Sequence, residues 1–338
     1  MASSGGDCGM HEEERRKLLD VLAETPDQLE AVLLDLTPEL ARWNPAPGKW
    51  SILQIVCHMR DMEKDAYLAR YRRLLAEEQP QLADIDGDAL ALESDYASQS
   101  LAAAFQDWKR LRRQTLALID GLQPLSSAQW ERGGVHEGVG PMTMEGYLKR
   151  QASGNDLAHF GQIRSIKERW VLLQRLRSAP DRLAELTAGL SEAVLRTKPA
   201  GGGWSVVQNA CHLRDIEQLF LERFSKMACQ DKPRLSTIDN DRMAESRAYS
   251  AARVEEVVAE FARLRSETLT LLRALPHTLW QRTGVHPKRG ELSIQGLATL
   301  LAGHDGSHLD RIAELAAGTG PSGPADCALA TTTAEQAS

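Results

Sequence analysis

The sequence predicts an all-α protein built from two tandem four-helix bundles. The stretches WSILQIVCHMRDME, which begins at Trp50, and WSVVQNACHLRDIE, which begins at Trp204, share eight of their fourteen residues. Apolar residues recur at helical spacing through most of both halves, and alternating β-branched runs are scarce. The 338 residues exceed what one core usually holds, so a duplicated domain of about 150 residues explains the length.

The repeat continues beyond this motif and sets the predicted domain boundaries. NDLAHFGQI, which begins at Asn155, corresponds to HDGSHLDRI, which begins at His304. The distance between matching residues falls from 154 to 149 along the chain, as small insertions and deletions in loops would cause. The chain is therefore predicted to consist of a disordered tail (1–10), a first bundle (11–168), a second bundle (169–318) and a second disordered tail (319–338).

Each half is predicted to contain four main helices in the same order. Proline at a first-turn position opens the first helix in PDQLEAVLLDL and in PDRLAELTAGL. The motif helix follows, opened by an S-x-x-Q capping box at Ser51 and at Ser205. A long amphipathic helix comes next, and then an irregular loop with the sequence GVH. The loop histidine, His136 or His286, either lines the mouth of a cavity or packs within the loop. The last helix carries NDLAH or HDGSH.

Composition excludes several classes of protein. A net charge of −7 and an isoelectric point near 5.8 give no general attraction to nucleic acids or to anionic membranes. No apolar run approaches the roughly 18–20 residues that span a bilayer. The N-terminal sequence has no apolar core of a secretory signal, and the five cysteines form no paired spacing. We therefore expect a cytoplasmic protein with a small-molecule substrate and no nucleic-acid or membrane partner.

Histidines are the residues most suggestive of chemistry. His58 and His212 lie at matching positions of the motif helix, at the edge of its apolar stripe, where each can point into its bundle. A lone histidine there is more often a hydrogen-bonded core residue. In the second half, however, His304 and His308 lie four residues apart on one helix face and can bind one metal ion. With His212 they would form a three-histidine site, and three protein ligands leave the open position typical of catalytic zinc.

Four acidic residues accompany the motif histidines. Asp61 and Asp215 lie three residues after them, where a carboxylate can orient the imidazole. The alternative is a surface salt bridge with a neighbouring arginine, and the sequence does not choose between the two. Glu63 and Glu217 are expected to be exposed.

The pattern W-S-x-x-Q-x-x-x-H-x-x-D-x-E, a long helix and then G-H-D-x-x-H-x-x-x-I resembles the DinB/YfiT superfamily, whose members are regarded as metalloenzymes. The resemblance covers both halves. It implies four-helix bundles and a metal site with one histidine from the second helix and two from the last, here His212, His304 and His308. Because many relatives are homodimers, it also implies that the tandem halves form a pseudo-dimer within a monomeric chain.

The first half departs from this pattern. His58 and His159 match, but Asn155 stands where the second half has His304. An amide oxygen is a poor ligand for zinc-like metals. The first site is therefore degenerate and structural, or binds metal weakly through two histidines with Asn155 or water, or has been remodelled for different chemistry. We predict one tightly bound metal per chain, in the second half.

A metal with an open position lowers the pKa of a bound water or thiol. The resemblance implies a thiol S-transferase that delivers a metal-activated thiolate to a small electrophile, with a low-molecular-weight thiol as co-substrate. A metal-dependent hydrolase with the same three histidines and a non-catalytic, stress-related ligand-binding or scaffold protein are the alternatives. Zinc is the favoured metal, with nickel, iron and copper as alternatives. The residues alone assign no catalytic side chain and no organic cofactor site.

Overall fold

The computed structural model describes residues 12–121 and 124–318, without the side chain of His277. The two predicted tails lie outside these described residues. The chain divides into a first unit, Met1–Asn44 with Gly48–Lys167, and a second unit, Pro45–Pro47 with Glu168–Ser338. Within the described ranges, no helix is both long and apolar enough to cross a bilayer.

The first unit is a four-helix bundle to which short helices and a small sheet are added. Two of its main helices contain a π-helical segment, Met62–Leu68 in one and Arg150–Asp156 in the other. The elements are α1 (Glu12–Leu33), α2 (Pro38–Arg42), α3 (Ile52–Asp61), α4 (Ala69–Ala76), β1 (Gln81–Leu82), α5 (Gly87–Glu93), a 3₁₀ turn (Tyr96–Ser98), α6 (Leu101–Ile119), α7 (Ser127–Trp130), β2 (Gly133–His136), β3 (Gly140–Thr143), α8 (Met144–Lys149) and the beginning of α9 (Leu157–Thr187).

The second unit repeats this plan with uninterrupted helices. Its main helices are the later part of α9, then α11, α13 and α14, as the repeat predicts. The elements after α9 are α10 (Glu192–Arg196), α11 (Val206–Cys229), α12 (Asn240–Ser246), a 3₁₀ turn (Tyr249–Ala251), α13 (Val254–Ala274), a 3₁₀ turn (His277–Gln281), β4 (Thr283–His286), β5 (Gly290–Ser293) and α14 (Ile294–Ala316). The predicted all-α class with two four-helix bundles is confirmed.

The motif helix begins where the sequence indicates. The Ser51 hydroxyl accepts a hydrogen bond from the Gln54 backbone N–H, and the Gln54 side chain accepts one from the Ser51 N–H. Ser205 and Gln208 form the same pair at the start of α11. Each pair satisfies two backbone donors that a helix start would otherwise leave unpaired, and this fixes the register of the histidine on its helix.

Two local predictions were wrong. Pro26 and Pro180 lie inside α1 and α9 rather than in their first turns. The GVH segments are not irregular loops, because β2 pairs with β3 and β4 pairs with β5 as antiparallel hairpins. Gly140 and Gly290 begin the return strands at φ +86° and +71°, a left-handed conformation that glycine adopts without strain.

The drift in the repeat distance does not arise from loops alone. Ile52 lies 154 residues before Val206 at the helix start, but Ala76 lies 153 residues before Cys229 at its end. The first unit therefore has one extra residue inside this helix, and the π-helical segment Met62–Leu68 accommodates it. The π-helical segment Arg150–Asp156 accommodates a second extra residue of the first unit in the same way. Across this segment the distance between matching residues of the two units falls from 150 to 149.

Candidate metal centre

The second unit brings three histidines together in its core. His212 lies on α11, and His304 and His308 lie one turn apart on α14, all three buried. The ring centroids are 5.0 Å apart for His212 and His304, 4.7 Å for His212 and His308, and 4.4 Å for His304 and His308. One ring nitrogen from each lies within 4.8 Å of the others. We call this group the three-histidine cluster; its spacing could hold one metal ion.

Burial favours the neutral form of two of these rings. It lowers the pKa of His212 far below its usual value, and the neighbouring imidazoles of His304 and His308 lower that pKa further. Burial, with a smaller contribution from His304, lowers the pKa of His308 to about 3. A neutral imidazole has a free lone pair, which is the form that ligates metals.

Asn209 sets the orientation of one of these rings. Its side-chain oxygen lies 2.8 Å from Nδ1 of His308. Its amide nitrogen donates to the backbone oxygens of Trp204 and Ser205, at 3.1 and 2.9 Å. Because both amide hydrogens are used in this way, the oxygen must accept from a protonated Nδ1 of His308. The lone pair of that ring is therefore on Nε2, as in metal sites where an outer hydrogen bond fixes the tautomer.

The donor set fits a metal. Nε2 of His212 lies 3.0 Å from Nε2 of His304. Tetrahedral zinc with nitrogen ligands about 2.0–2.1 Å away places them roughly 3.3 Å apart, so this separation is compatible with a shared ion. Among the described residues, Nδ1 of His212 is buried without a hydrogen-bond partner. Imidazole donors suit zinc, nickel, iron and copper.

The corresponding place in the first unit is different. The rings of His58 and His159 lie 5.1 Å apart, and burial, with His159, lowers the pKa of His58 to about 4. Asn155 lies in the π-helical segment and is half-buried. Ile55 occupies the position that matches Asn209, so no amide is there to orient His159. Within the described part of the chain, the first unit has no third imidazole or acid at ligand distance from this pair.

The Asn209→Ile variant, which introduces the residue of the first unit, is expected to bind metal about 10–100-fold more weakly, because the His308 ring loses the bond that fixes its tautomer. Asn209→Asp is the control, since its carboxylate can still accept from Nδ1. Zinc affinity is measured by competition with a chromophoric chelator. Equal affinities for the parent and Asn209→Ile would show that Asn209 does not support the site.

Behind the three-histidine cluster lies a buried network of one arginine and two acids. Nη2 of Arg265 lies 2.6 Å from Glu217 and 2.7 Å from Asp305. Nη1 donates to the backbone oxygen of Leu176 at 2.6 Å, the carbonyl that Pro180 leaves without its helical N–H donor. Burial raises the pKa of Asp305, but Arg265 and His304 together outweigh burial and hold this pKa below its usual value. This arginine–carboxylate network connects all four main helices of the second unit.

The first unit repeats this network. Arg112 lies 2.8 Å from both Glu63 and Asp156, and it donates to the backbone oxygen of Leu22, four residues before Pro26. The expectation that the two glutamates are exposed was wrong, because each pairs with a buried arginine. The missed signal was the pair Arg112 and Arg265, which lie 153 residues apart at matching positions of the long helices α6 and α13.

Asp61 and Asp215 are both buried and bind groups other than the imidazoles. Each accepts hydrogen bonds from a tyrosine and from the arginine that precedes it in sequence. The structure thus shows the arginine contact, although not at the surface, and a role in orienting the imidazoles stays a prediction. The bonds are Tyr96 to Asp61 at 2.7 Å, Arg60 to Asp61 at 2.7 Å, Tyr249 to Asp215 at 2.6 Å and Arg214 to Asp215 at 2.8 Å.

Comparison with known proteins decides the family. The sequence profile of the DinB superfamily matches residues 22–163 and again residues 175–312. This chain belongs to the DinB superfamily. The two matched segments confirm the resemblance seen in the sequence and the tandem duplication.

Two relatives each match less than half of the chain. The chain is 25% identical over 150 residues to YfiT of Bacillus subtilis, covering 44% of this chain and 83% of YfiT. It is 28% identical over 143 residues to a protein of Oceanobacillus iheyensis, and the match covers 42% of this chain and 83% of that protein. Both relatives are named as proposed metal-dependent hydrolases. The solved structure of YfiT, described as an unusual four-helix bundle, covers 50% of this chain and 95% of YfiT, with 22% identity and a TM-score of 0.45.

Proposed function

We propose that the three-histidine cluster holds one divalent metal, with zinc favoured, and that this DinB protein is a metal-dependent enzyme that transfers a low-molecular-weight thiol to a small electrophile. The observation that carries the proposal is the convergence of three buried imidazoles, one of them oriented by Asn209. The first unit, with two imidazoles and Ile55, is proposed to have no catalytic metal.

A divalent ion with three imidazole ligands supplies an open coordination position at which a thiol loses its proton near neutral pH. The residues of this chain bury the imidazoles, keep His212 and His308 neutral, and fix the orientation of His308. In the overall reaction a sulfur–carbon bond forms, the leaving group departs with its electron pair, and the thiol proton passes to solvent.

The surroundings of the cluster favour a thiol over water as the nucleophile. The buried acids nearest in sequence to the ligands are Asp215, Glu217 and Asp305, and each already pairs with an arginine or a tyrosine. Their bonds leave them poorly placed to remove a proton from water. A thiol starts from a reference pKa of about 8.5 and free water from about 15.7, so water depends on the metal for a much larger shift than a thiol does.

Hydrolysis is the second candidate, because both relatives carry names that propose it. It would use the same three histidines. The two reactions are distinguished by whether the metal-loaded chain binds a thiol, and by whether it conjugates that thiol or hydrolyses an ester.

The test uses the full chain loaded with cobalt and then with zinc. Cysteine or glutathione is expected to give a sulfur-to-cobalt charge-transfer band, absent in His212→Ala and retained in His58→Ala, its matched control in the first unit. The zinc form is then assayed for conjugation of these thiols to monobromobimane and for hydrolysis of 4-nitrophenyl acetate. Ester hydrolysis that depends on His212, without thiol ligation, would favour the hydrolase. Absence of both would favour a non-catalytic protein.

A further inference from the structure

A cavity of about 400 Å³ opens along the helix face that carries His212. Ile216, Leu219 and Arg223 line it and follow His212 by four, seven and eleven residues, a spacing that keeps side chains on one face of α11. Eleven residues at 1.5 Å each place the Cα atoms of His212 and Arg223 roughly 16 Å apart along the helix. None of the three histidines lines the cavity, so the shared face of α11 is what relates the cavity to the cluster.

Arg223 is a buried cation with no acidic partner in the part of the chain that the structure describes. It is 4% exposed and lies over the Phe220 ring at 4.9 Å, and among the described residues its guanidinium donates only to the backbone oxygen of Ser236. No carboxylate among the described residues lies within 4.0 Å of it. Burial lowers its pKa to about 10. Since a buried charge without a counter-ion is costly, a guanidinium that lines a cavity points to an anionic ligand.

The arginine at the matching position of the first unit has different surroundings. Arg70, 153 residues before Arg223, is also buried and donates to the backbone oxygen of Ala83 at 2.6 Å. An acid lies near this position, because Oδ1 of Asp84 is 3.6 Å from Nε2 of His136. The first unit therefore has a carboxylate beside His136, the residue that matches His286 of the second cavity.

Two substitutions make the second cavity more cationic. Thr237 stands where the first unit has Asp84, and Lys288 stands where it has Gly138, and both line the cavity. The pKa of His286, which matches His136, is lowered first by burial and then only by cations. The second unit has thus lost a carboxylate and gained an ammonium group at this place.

Two aspartates at the rim do not cancel this difference. Asp239 and Asp241 line the cavity, and Asp86 and Asp88 match them in the first unit. Asp239 also caps α12 by accepting from the Arg242 N–H at 3.1 Å. The acids are common to both units, whereas the added positive charge belongs to the second unit alone.

We propose that this cavity binds an oxyanion group, a carboxylate or a phosphate ester, of the molecule that reacts at the three-histidine cluster, with Arg223 as the anchor and Lys288 at the mouth. The planar guanidinium offers a paired set of donors to such a group. The identity of the reacting end rests on the proposed function, but the binding of the oxyanion does not.

Isothermal titration calorimetry of the full chain tests this with heptanoate, hexyl phosphate and, as the neutral control, heptan-1-ol. The preferred oxyanion is expected to bind at least about tenfold more tightly than the alcohol, as charge-assisted hydrogen bonds imply. Arg223→Gln should abolish that preference, and Arg70→Gln, the matched variant in the first unit, should retain it. Lys288→Ala changes an exposed residue without disturbing the core and should reduce the preference, so it decides the matter if Arg223→Gln does not fold.

The His308→Ala variant separates this inference from the metal proposal. A preference that survives His308→Ala and is lost in Arg223→Gln places the oxyanion at Arg223 and away from the metal, whether or not the metal proposal is correct. No preference in the parent, a preference that persists in Arg223→Gln, or one that is lost in His308→Ala would overturn the inference.

Discussion

The Arg265→Leu variant is expected to lower the free energy of unfolding of the second unit by about 3–5 kcal/mol, because it leaves the buried acids Glu217 and Asp305 without their cation. It also leaves the backbone oxygen of Leu176 without a donor, since Pro180 cannot supply one. Urea unfolding of the full chain, followed by circular dichroism, measures the shift. The two units can unfold in separate transitions, and the transition of the second unit is the one expected to move.

Arg263→Leu is the matched control on the same helix. Arg263 pairs with Glu260 and Glu267 in solvent, where salt bridges contribute little. Its unfolding curve should coincide with that of the parent. A shift for Arg265→Leu that is no larger than the shift for Arg263→Leu would show that the buried network does not hold the helices together.

Replacing His304 by asparagine is expected to weaken metal binding by more than about 100-fold. The variant gives the second unit the histidine–asparagine–histidine set of His58, Asn155 and His159, and a neutral amide oxygen is a much poorer ligand than imidazole. The loss of a direct ligand should exceed the 10–100-fold effect of removing an outer hydrogen bond. Chelator competition measures the affinity, and circular dichroism checks that the helices remain.

The reverse substitution, asparagine to histidine, tests in the first unit whether a third imidazole is enough to make a tight metal site. Asn155→His alone is not expected to create a second tight site, because Ile55 leaves His159 without an orienting amide and the π-helical segment alters the register of the helix. A His304→Asn variant that binds zinc as tightly as the parent would contradict the assignment of His304 as a ligand.

Local patterns made much of the fold predictable. Ser51 and Ser205 mark the start of the motif helix because a capping box depends only on residues three positions apart. The spacing of His304 and His308 likewise fixes their common face, whatever surrounds them. Pro26 was misplaced because an arginine on another helix satisfies the carbonyl that the proline frees, and no local pattern shows that contact.

The parts of the site that were missed depend on contacts between distant segments. Arg265 reads as one more charged residue on a long helix until the fold buries it against Glu217 and Asp305. Asn209 differs from Ile55 by a single substitution inside the repeat, and its meaning appears only when α14 places His308 2.8 Å away. A polar residue that replaces an apolar one at a core position of a repeat is the signal that could have found it.

The most direct test is the metal content per chain of protein purified without a histidine tag, measured by elemental analysis beside His308→Ala and the matched first-unit variant His159→Ala. The three-histidine cluster predicts close to one equivalent in the parent and in His159→Ala, and almost none in His308→Ala. Two equivalents in the parent would show that Asn155 does not disable the first site. Metal content that His308→Ala leaves unchanged, or no metal after reconstitution with zinc, would contradict a metal centre in the second unit.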